Sequence, residues 1–253
     1  MLSLGIAADN QQKTLQPKLS GEVFFALLHF LYSEVERRRN MGCSVDRKKH
    51  LRSQILAAAH EYSSHLAGRV FLYVSGEDHF EVNFKTECFM HLTGVNSPLS
   101  AKDFYRKALD GTLSTGQIFF DAAHPYTNAK KKLTCLRSLP LLTNSLVCIM
   151  RDFQTITVTY KIGVTNLDFT IGLVEDTDRA GNTVNNWLVP RTLRIKDKAI
   201  ENSAHAEFVD CILSRDAACS LYSTVEFSSG DNIITTHIQP MLSVEVFESL
   251  TIV

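Results

Sequence analysis

This chain of 253 residues has no excess of either charge, no Cys-x-x-Cys pair and no apolar run long enough to span a membrane. Its 26 Lys and Arg balance 27 Asp and Glu, for a formal net charge of −1. That excludes a wholly basic nucleic-acid binder but leaves room for a local basic patch. The six cysteines, at positions 43, 88, 135, 148, 211 and 219, have no His partner at zinc-finger spacing. Reduced thiols in a cytosol are the simplest expectation. No apolar stretch approaches the roughly 20 residues that cross a bilayer, and Met1 to Asp9 breaks off too early for a secretory signal. The phosphate-cradling Gly-x-x-x-x-Gly-Lys-Ser/Thr loop, the Gly-x-Gly-x-x-Gly turn and the Gly-x-Ser-x-Gly elbow are all missing. P-loop hydrolysis, dinucleotide oxidoreduction and α/β-hydrolase chemistry are therefore not indicated. No cofactor is expected, and no metal pair is offered at local spacing, since His60 and His65 lie five apart and the other histidines lack ligand-like neighbours; a site assembled from distant residues stays open. The single tryptophan, Trp187, sits in a strand-like context and reads as core.

With 45% hydrophobic and 21% charged residues, the chain can bury a sizeable core. Residues 1–18 are polar and aperiodic and read as a leader, followed by a domain over 19–230 and a C-terminal strand segment over 231–253. Val23, Phe24, Leu27, Leu28, Leu31 and Val35 recur at helical spacing, and a second helix is expected after Ser44 with the stripe Leu51, Ile55, Ala59, Tyr62 and Leu66. Gly68 is placed to stop it. The period then becomes two, in Val70 to Val74 and in Phe80, Val82 and Phe84, which predicts a hairpin around Gly76-Glu-Asp78. Ser100-Ala-Lys-Asp103 opens a short helix that Gly111 ends, and a further helix is expected from Thr127 to Leu139, stopped by Pro140. Strands follow at 146–150, 155–161, 168–174, 187–189, 208–213 and 223–227, and Ile233 to Val253 reads as an edge or partner-facing strand. Helices first and a meander afterwards give an α+β class, with N-terminal helices followed by a mainly antiparallel sheet.

The chemistry-bearing stretch is Lys85-Thr-Glu-Cys-Phe-Met-His-Leu-Thr-Gly94, which reads as the polar end of a strand at a sheet edge. His91 can take or give a proton near neutral pH, and Lys, His and Thr together suit phosphate chemistry. The basic runs Arg37 to Arg39 and Arg47 to Lys49 flank the helix hairpin, with acidic neighbours that favour a solvated surface.

The order of Phe89-Met-His-Leu-Thr-Gly94, the Phe104-Tyr105 helix, the Lys130-Lys-Lys-Leu133 helix and Val189-Pro-Arg-Thr-Leu193 resembles a phage-associated class of nuclease-toxin-like domains. This is the barnase, EndoU, colicin and RelE-like grouping named the BECR fold, and the resemblance runs from about Phe24 to about Phe227. It implies a cytoplasmic ribonuclease or toxin-like effector, in a bacterial or phage-infected cell, that cleaves RNA without a metal by attack of the 2'-hydroxyl on the phosphate. It further implies His91, Thr93, Lys85 and Arg191 as catalytic, and Lys131, Lys132, Arg106 and Thr192 as contacts to phosphate or RNA.

The bland readings stay open beside these. His91 can cap backbone groups, Lys130 to Lys132 can be a solvated face, and Arg191 can hold Asp176 or Asp178. No second acid or base is compelled by spacing, since neither Glu81 nor Glu87 need point at His91. A non-catalytic module that binds RNA, a nucleotide or a protein therefore remains a rival reading. A protein antagonist and a homo-oligomer formed through the C-terminal segment are the further partners envisaged, and no membrane is expected.

Overall fold

The computed structural model describes residues 45–154, 159–178, 180–195, 205–230, 233–234 and 236–252. The leader over 1–18, the helix expected from Val23 and the Ser44 cap lie outside the described residues, as do 155–158 of one expected strand. The chain divides into a unit of residues 1–46 and a unit of residues 47–253. In the second unit, helix α1 (47–65) carries the expected stripe, and Leu51, Ile55, Ala59, Tyr62 and Leu66 are all buried. No helix among the described residues is long and apolar enough to cross a membrane.

Strands β1 (Arg69–Ser75) and β2 (Asp78–Asn83) form the expected hairpin. Helices α2 (Cys88–Thr93), α3 (Ala101–Leu109) and α4 (Tyr126–Leu136) follow. The meander comprises β3 (Cys148–Gln154), β4 (Thr159–Thr165), β5 (Phe169–Thr177) and β6 (Thr183–Ile195). Strands β7 (His205–Phe208), β8 (Cys211–Asp216) and β9 (Thr224–Ser228) complete a nine-stranded sheet of order β7-β3-β4-β5-β6-β2-β1-β8-β9. All its pairings are antiparallel except β2 with β6, which join through Val82 and Leu188 after a connection that carries α2 to α4 and then β3 to β5. The α+β class is as expected.

The strand β1 shows why the sheet is covered twice. Its residues Val70 to Val74 are apolar without a break, because alternate side chains serve different cores. Phe71 and Tyr73 join the larger core with the stripes of α1 to α4, whereas Val70, Leu72 and Val74 face Cys211, Leu213 and Tyr222 on the other side.

Several features differ from the sequence reading. The His91 segment is a helix rather than a strand end, and β2 lies inside the sheet, not at its edge. The α4 helix stops at Leu136, and Pro140 falls in a separate 3-10 turn over Leu139–Leu142, because proline tolerates the first positions of a new helical turn. The stretch read as one strand over 208–213 is broken at Val209-Asp210, where the chain passes from β7 to β8.

The C-terminal segment, expected as a strand, contributes only the two-residue pair β10 (Ile233–Ile234) and β11 (Thr251–Ile252). Between them run a 3-10 turn, Thr236–Met241, and helix α5 (Val244–Ser249). Ile238, Leu242, Val246 and Leu250, spaced four apart, are buried against the second face of the sheet. Those four side chains place part of the segment's apolar surface against the chain's own sheet, while Val244 remains exposed.

Gly94 ends α2 with φ +73, and a Cβ there would lie 2.7 Å from Lys132 Cδ. Gly94→Ala is therefore expected to destabilise the protein by about 1–2 kcal/mol in chemical denaturation. A change of less than a few tenths would show that the left-handed cap does not constrain this site.

Candidate functional site

Residues that the sequence separates by a hundred positions meet at the junction of α2 and β6. The first turn of α2 is anchored by Phe89, which is fully buried and edge-on to Tyr62 and Tyr105, at 5.3 Å from each ring centroid. Leu92 is buried beside it, so the opposite face of this short helix presents His91 to solvent. Facing it, the register of β5 and β6 passes from Gly172 opposite Thr192 to Leu173 opposite Pro190, which leaves Arg191 as the extra residue of a β-bulge. A bulge bends its strand and re-aims a side chain, and proline is tolerated there because no ladder N–H is required of it. Gly172 allows the strands to close at this point, since a Cβ would come within 2.9 Å of Thr192 Cγ2.

Arg191 Nη1 lies 3.5 Å from His91 Nε2. A guanidinium can only donate, so a hydrogen bond at this contact takes Nε2 as the accepting nitrogen of the ring. Partial burial lowers the His91 pKa below its ordinary value, and the charges of Arg191, His124 and Lys132 push in the same direction. A neutral ring with an available lone pair is the form a general base needs.

His91 and Arg191 line a cleft of about 400 Å³ together with Lys85, Glu87, Cys88 and Asp176. Lys85 is held there by a 2.6 Å ion pair to Asp176, a carboxylate only 4% exposed that also accepts from Asn185 at 3.1 Å. One of the three Lys85 N–H groups is thus committed. Asp176 and Asp178 do not hold Arg191. Asp178 instead accepts from the backbone N–H groups of Ala180 and Asn182, closing its own turn. Burial pushes the Cys88 thiol up to about 12, so it lines the cleft as an unreactive wall.

An adjoining pocket is lined by Asn128, Lys131, Lys132, Thr192 and Arg194. Lys132 is half-buried over Gly94, and burial together with the neighbouring Arg194 lowers its pKa. Lys85, His91 and Arg191 therefore converge in one cleft, with Lys131, Lys132 and Thr192 beside it.

Two expected residues are elsewhere. Thr93 is fully buried, and its hydroxyl donates to Met90 O at 2.6 Å and accepts from Val95 N at 3.3 Å. It fastens the end of α2 and reaches neither the cleft nor His91, because the helix turns it away. Arg106 lies on the exposed side of α3, paired with Asp103 at 3.2 Å and Asp110 at 3.8 Å, and lines neither pocket. Glu81 is also absent from the cleft, since Arg215 and Tyr222 hold it.

The sequence reading passed over His124. It lies on the loop before α4 and is one of the basic groups that favour the neutral form of His91. Asp121 Oδ1 accepts from His124 Nδ1 at 3.2 Å and from its backbone N–H at 2.7 Å, and Asp121 Oδ2 accepts from Asn96 Nδ2 at 2.8 Å. Those bonds hold the Asp121 carboxyl below its usual range, the Asn96 bond most of all. They fix His124 in the tautomer that donates from Nδ1 and leave Nε2 available. The signal in the sequence was the Asp three residues before a His, next to a proline that starts a helix. Among the described residues no three His, Cys, Asp or Glu side chains are grouped to hold a metal ion.

A family model described as phage-Barnase-EndoU-ColicinE5/D-RelE like nuclease4 matches residues 54–230. That span contains every residue of the cleft and of the His124 loop. No curated protein and no solved structure matches the chain.

Proposed function

Because the chain belongs to the phage-Barnase-EndoU-ColicinE5/D-RelE like nuclease4 family, we propose that the α2–β6 cleft cleaves RNA by attack of the ribose 2'-hydroxyl on the adjacent phosphate. The observation that carries this reading is the His91 ring 3.5 Å from the Arg191 guanidinium in one cleft with Lys85, together with a second imidazole, His124, held by Asp121 on the loop before α4. Transphosphorylation needs one group to accept a proton, one to donate a proton, and cations for the charge that builds on the phosphate.

In this reading His91 Nε2 takes the 2'-hydroxyl proton as the 2'-oxygen bonds to phosphorus. His124, in its imidazolium form, gives a proton from Nε2 to the departing 5'-oxygen as the P–O5' bond breaks. The products are a 2',3'-cyclic phosphate and a 5'-hydroxyl. Arg191 offers two parallel N–H groups to the non-bridging oxygens, because no carboxylate among the described residues claims it. Lys85 offers the N–H groups that Asp176 leaves unused, and Lys132 adds charge from the adjoining pocket. Such an enzyme works in the cytoplasm of a bacterial or phage-infected cell, and a protein antagonist would have to cover this cleft.

The test is the chemistry of the ends. Single-stranded RNA incubated with purified protein and a chelator should yield 5'-hydroxyl and cyclic-phosphate termini, and a 2'-deoxy substitution at the scissile residue should block the cut. Products with 5'-phosphates, or equal cleavage of the deoxy substrate, would overturn the mechanism. Tight binding without products would establish the non-catalytic module instead.

A further inference from the structure

The loop that carries His124 also carries an aromatic residue that the fold does not use. Phe119 is 44% exposed and belongs to none of the hydrophobic cores, whereas its neighbours Phe120 and Tyr126 pack edge-on at 5.4 Å and lie against the larger core. Its backbone is nonetheless pinned in both directions to Asn96, with N–H to O distances of 3.1 and 2.8 Å. Asn96 lies two residues past Gly94, the cap of α2, and is the same residue that binds Asp121. One residue therefore ties an exposed ring, the Asp121–His124 pair and the helix of His91 into one fixed arrangement.

Cations lie over this aromatic edge. Lys48 Nζ lies 5.0 Å from the centroid of Phe119, and Arg47 Cζ lies 5.5 Å from that of Tyr126. Both cations come from the start of α1, within a basic run that sequence alone read as a solvated surface. Aromatic faces interleaved with Lys and Arg are what a single nucleic-acid strand requires, since bases stack on the rings while the cations follow the backbone. The carboxylate of Asp121, on the same loop, is engaged by Asn96 and His124.

Resting on the reading of the cleft as a ribonuclease site, we propose that Phe119, Lys48, Arg47 and Tyr126 form a second subsite, which holds single-stranded RNA beyond the scissile phosphate. A nucleotide flanking the cut stacks on Phe119, and Lys48 leaves the ring to meet the adjoining phosphate. The subsite reads strand length and single-strandedness rather than base identity, because stacking tolerates every base.

The test compares a dinucleotide with a single strand of about twelve nucleotides, cleaved by the wild type, Phe119→Ala and Lys48→Gln. Both side chains reach solvent, and thermal unfolding checks that the variants fold. With Phe119→Ala, kcat/KM on the longer strand should fall about tenfold or more, the size of one stacking contact, and on the dinucleotide less than twofold. Lys48→Gln should show the same split and a weaker salt dependence of binding. Equal losses on both substrates, or no loss on either, would overturn the subsite and leave the nuclease reading standing. Binding of the longer strand, followed by fluorescence anisotropy, separates the remaining outcomes. A wild type that cuts neither substrate but loses affinity about tenfold on Phe119→Ala keeps the subsite and sinks the nuclease. Absence of binding by the wild type overturns both.

Discussion

Replacing His91 with alanine should lower kcat for RNA cleavage by about 10²–10⁴-fold, the range that one proton-transfer group supplies. The ring is partly buried but keeps a side open to solvent, so the melting temperature should barely move. His124→Ala should cost a similar factor, and the double variant should cost much less than the product of the two, because groups that act as a unit are not additive. The pH profile carries an independent signature. His91 is held below its ordinary pKa, first by burial and then by Arg191, His124 and Lys132, so its basic form persists to lower pH than a free imidazole allows. The acid limb of kcat/KM should therefore lie below about pH 6.5. Arg191→Gln removes one of the charges that lower the pKa, so it should move that limb to higher pH while also lowering the rate. A limb that stays in place in Arg191→Gln would mean that the titrating base is not His91.

Much of this architecture was legible in the sequence where a single periodicity ran long enough. The α1 stripe from Leu51 to Leu66 matches the burial that the structure shows, whereas β1, read with a period of two, is buried on both faces from Val70 to Val74. The His91 helix was not legible, because six residues cannot sustain a helix by propensity and its register is fixed by burial of Phe89 and Leu92. The C-terminal segment was misread for a different reason. Its alternation near Ile233 drew attention away from Ile238, Leu242, Val246 and Leu250, whose spacing of four already signalled a helical face.

The meeting of His91 with Arg191 was not legible in the sequence, because the bulge that turns Arg191 into the cleft is a property of strand register. His124 was not legible as a site residue because its loop is tied to the end of α2 by the bridge between Asn96 and Phe119. That contact spans residues with no local pattern in common.

The dependence of the site on burial makes Phe89 the residue whose truncation should be felt most in stability. Its ring is fully buried among Tyr62, Tyr105 and Phe104, the last at 6.4 Å between centroids. Phe89→Ala should cost about 3–5 kcal/mol, the usual toll of removing a buried aromatic. Against a total stability of about 5–15 kcal/mol, such a loss should lower the melting temperature severely. Leucine at the same position keeps most of the volume and should cost distinctly less. The activity of that leucine variant is the sharper measurement. Tyr62, which touches Phe89, also donates its hydroxyl to Lys85 O at 2.8 Å, so one aromatic cluster supports both His91 and Lys85. Phe89→Leu should therefore lower kcat well beyond its effect on stability at a temperature where the protein remains folded. A leucine variant with full activity would show that α2 is positioned by its caps alone.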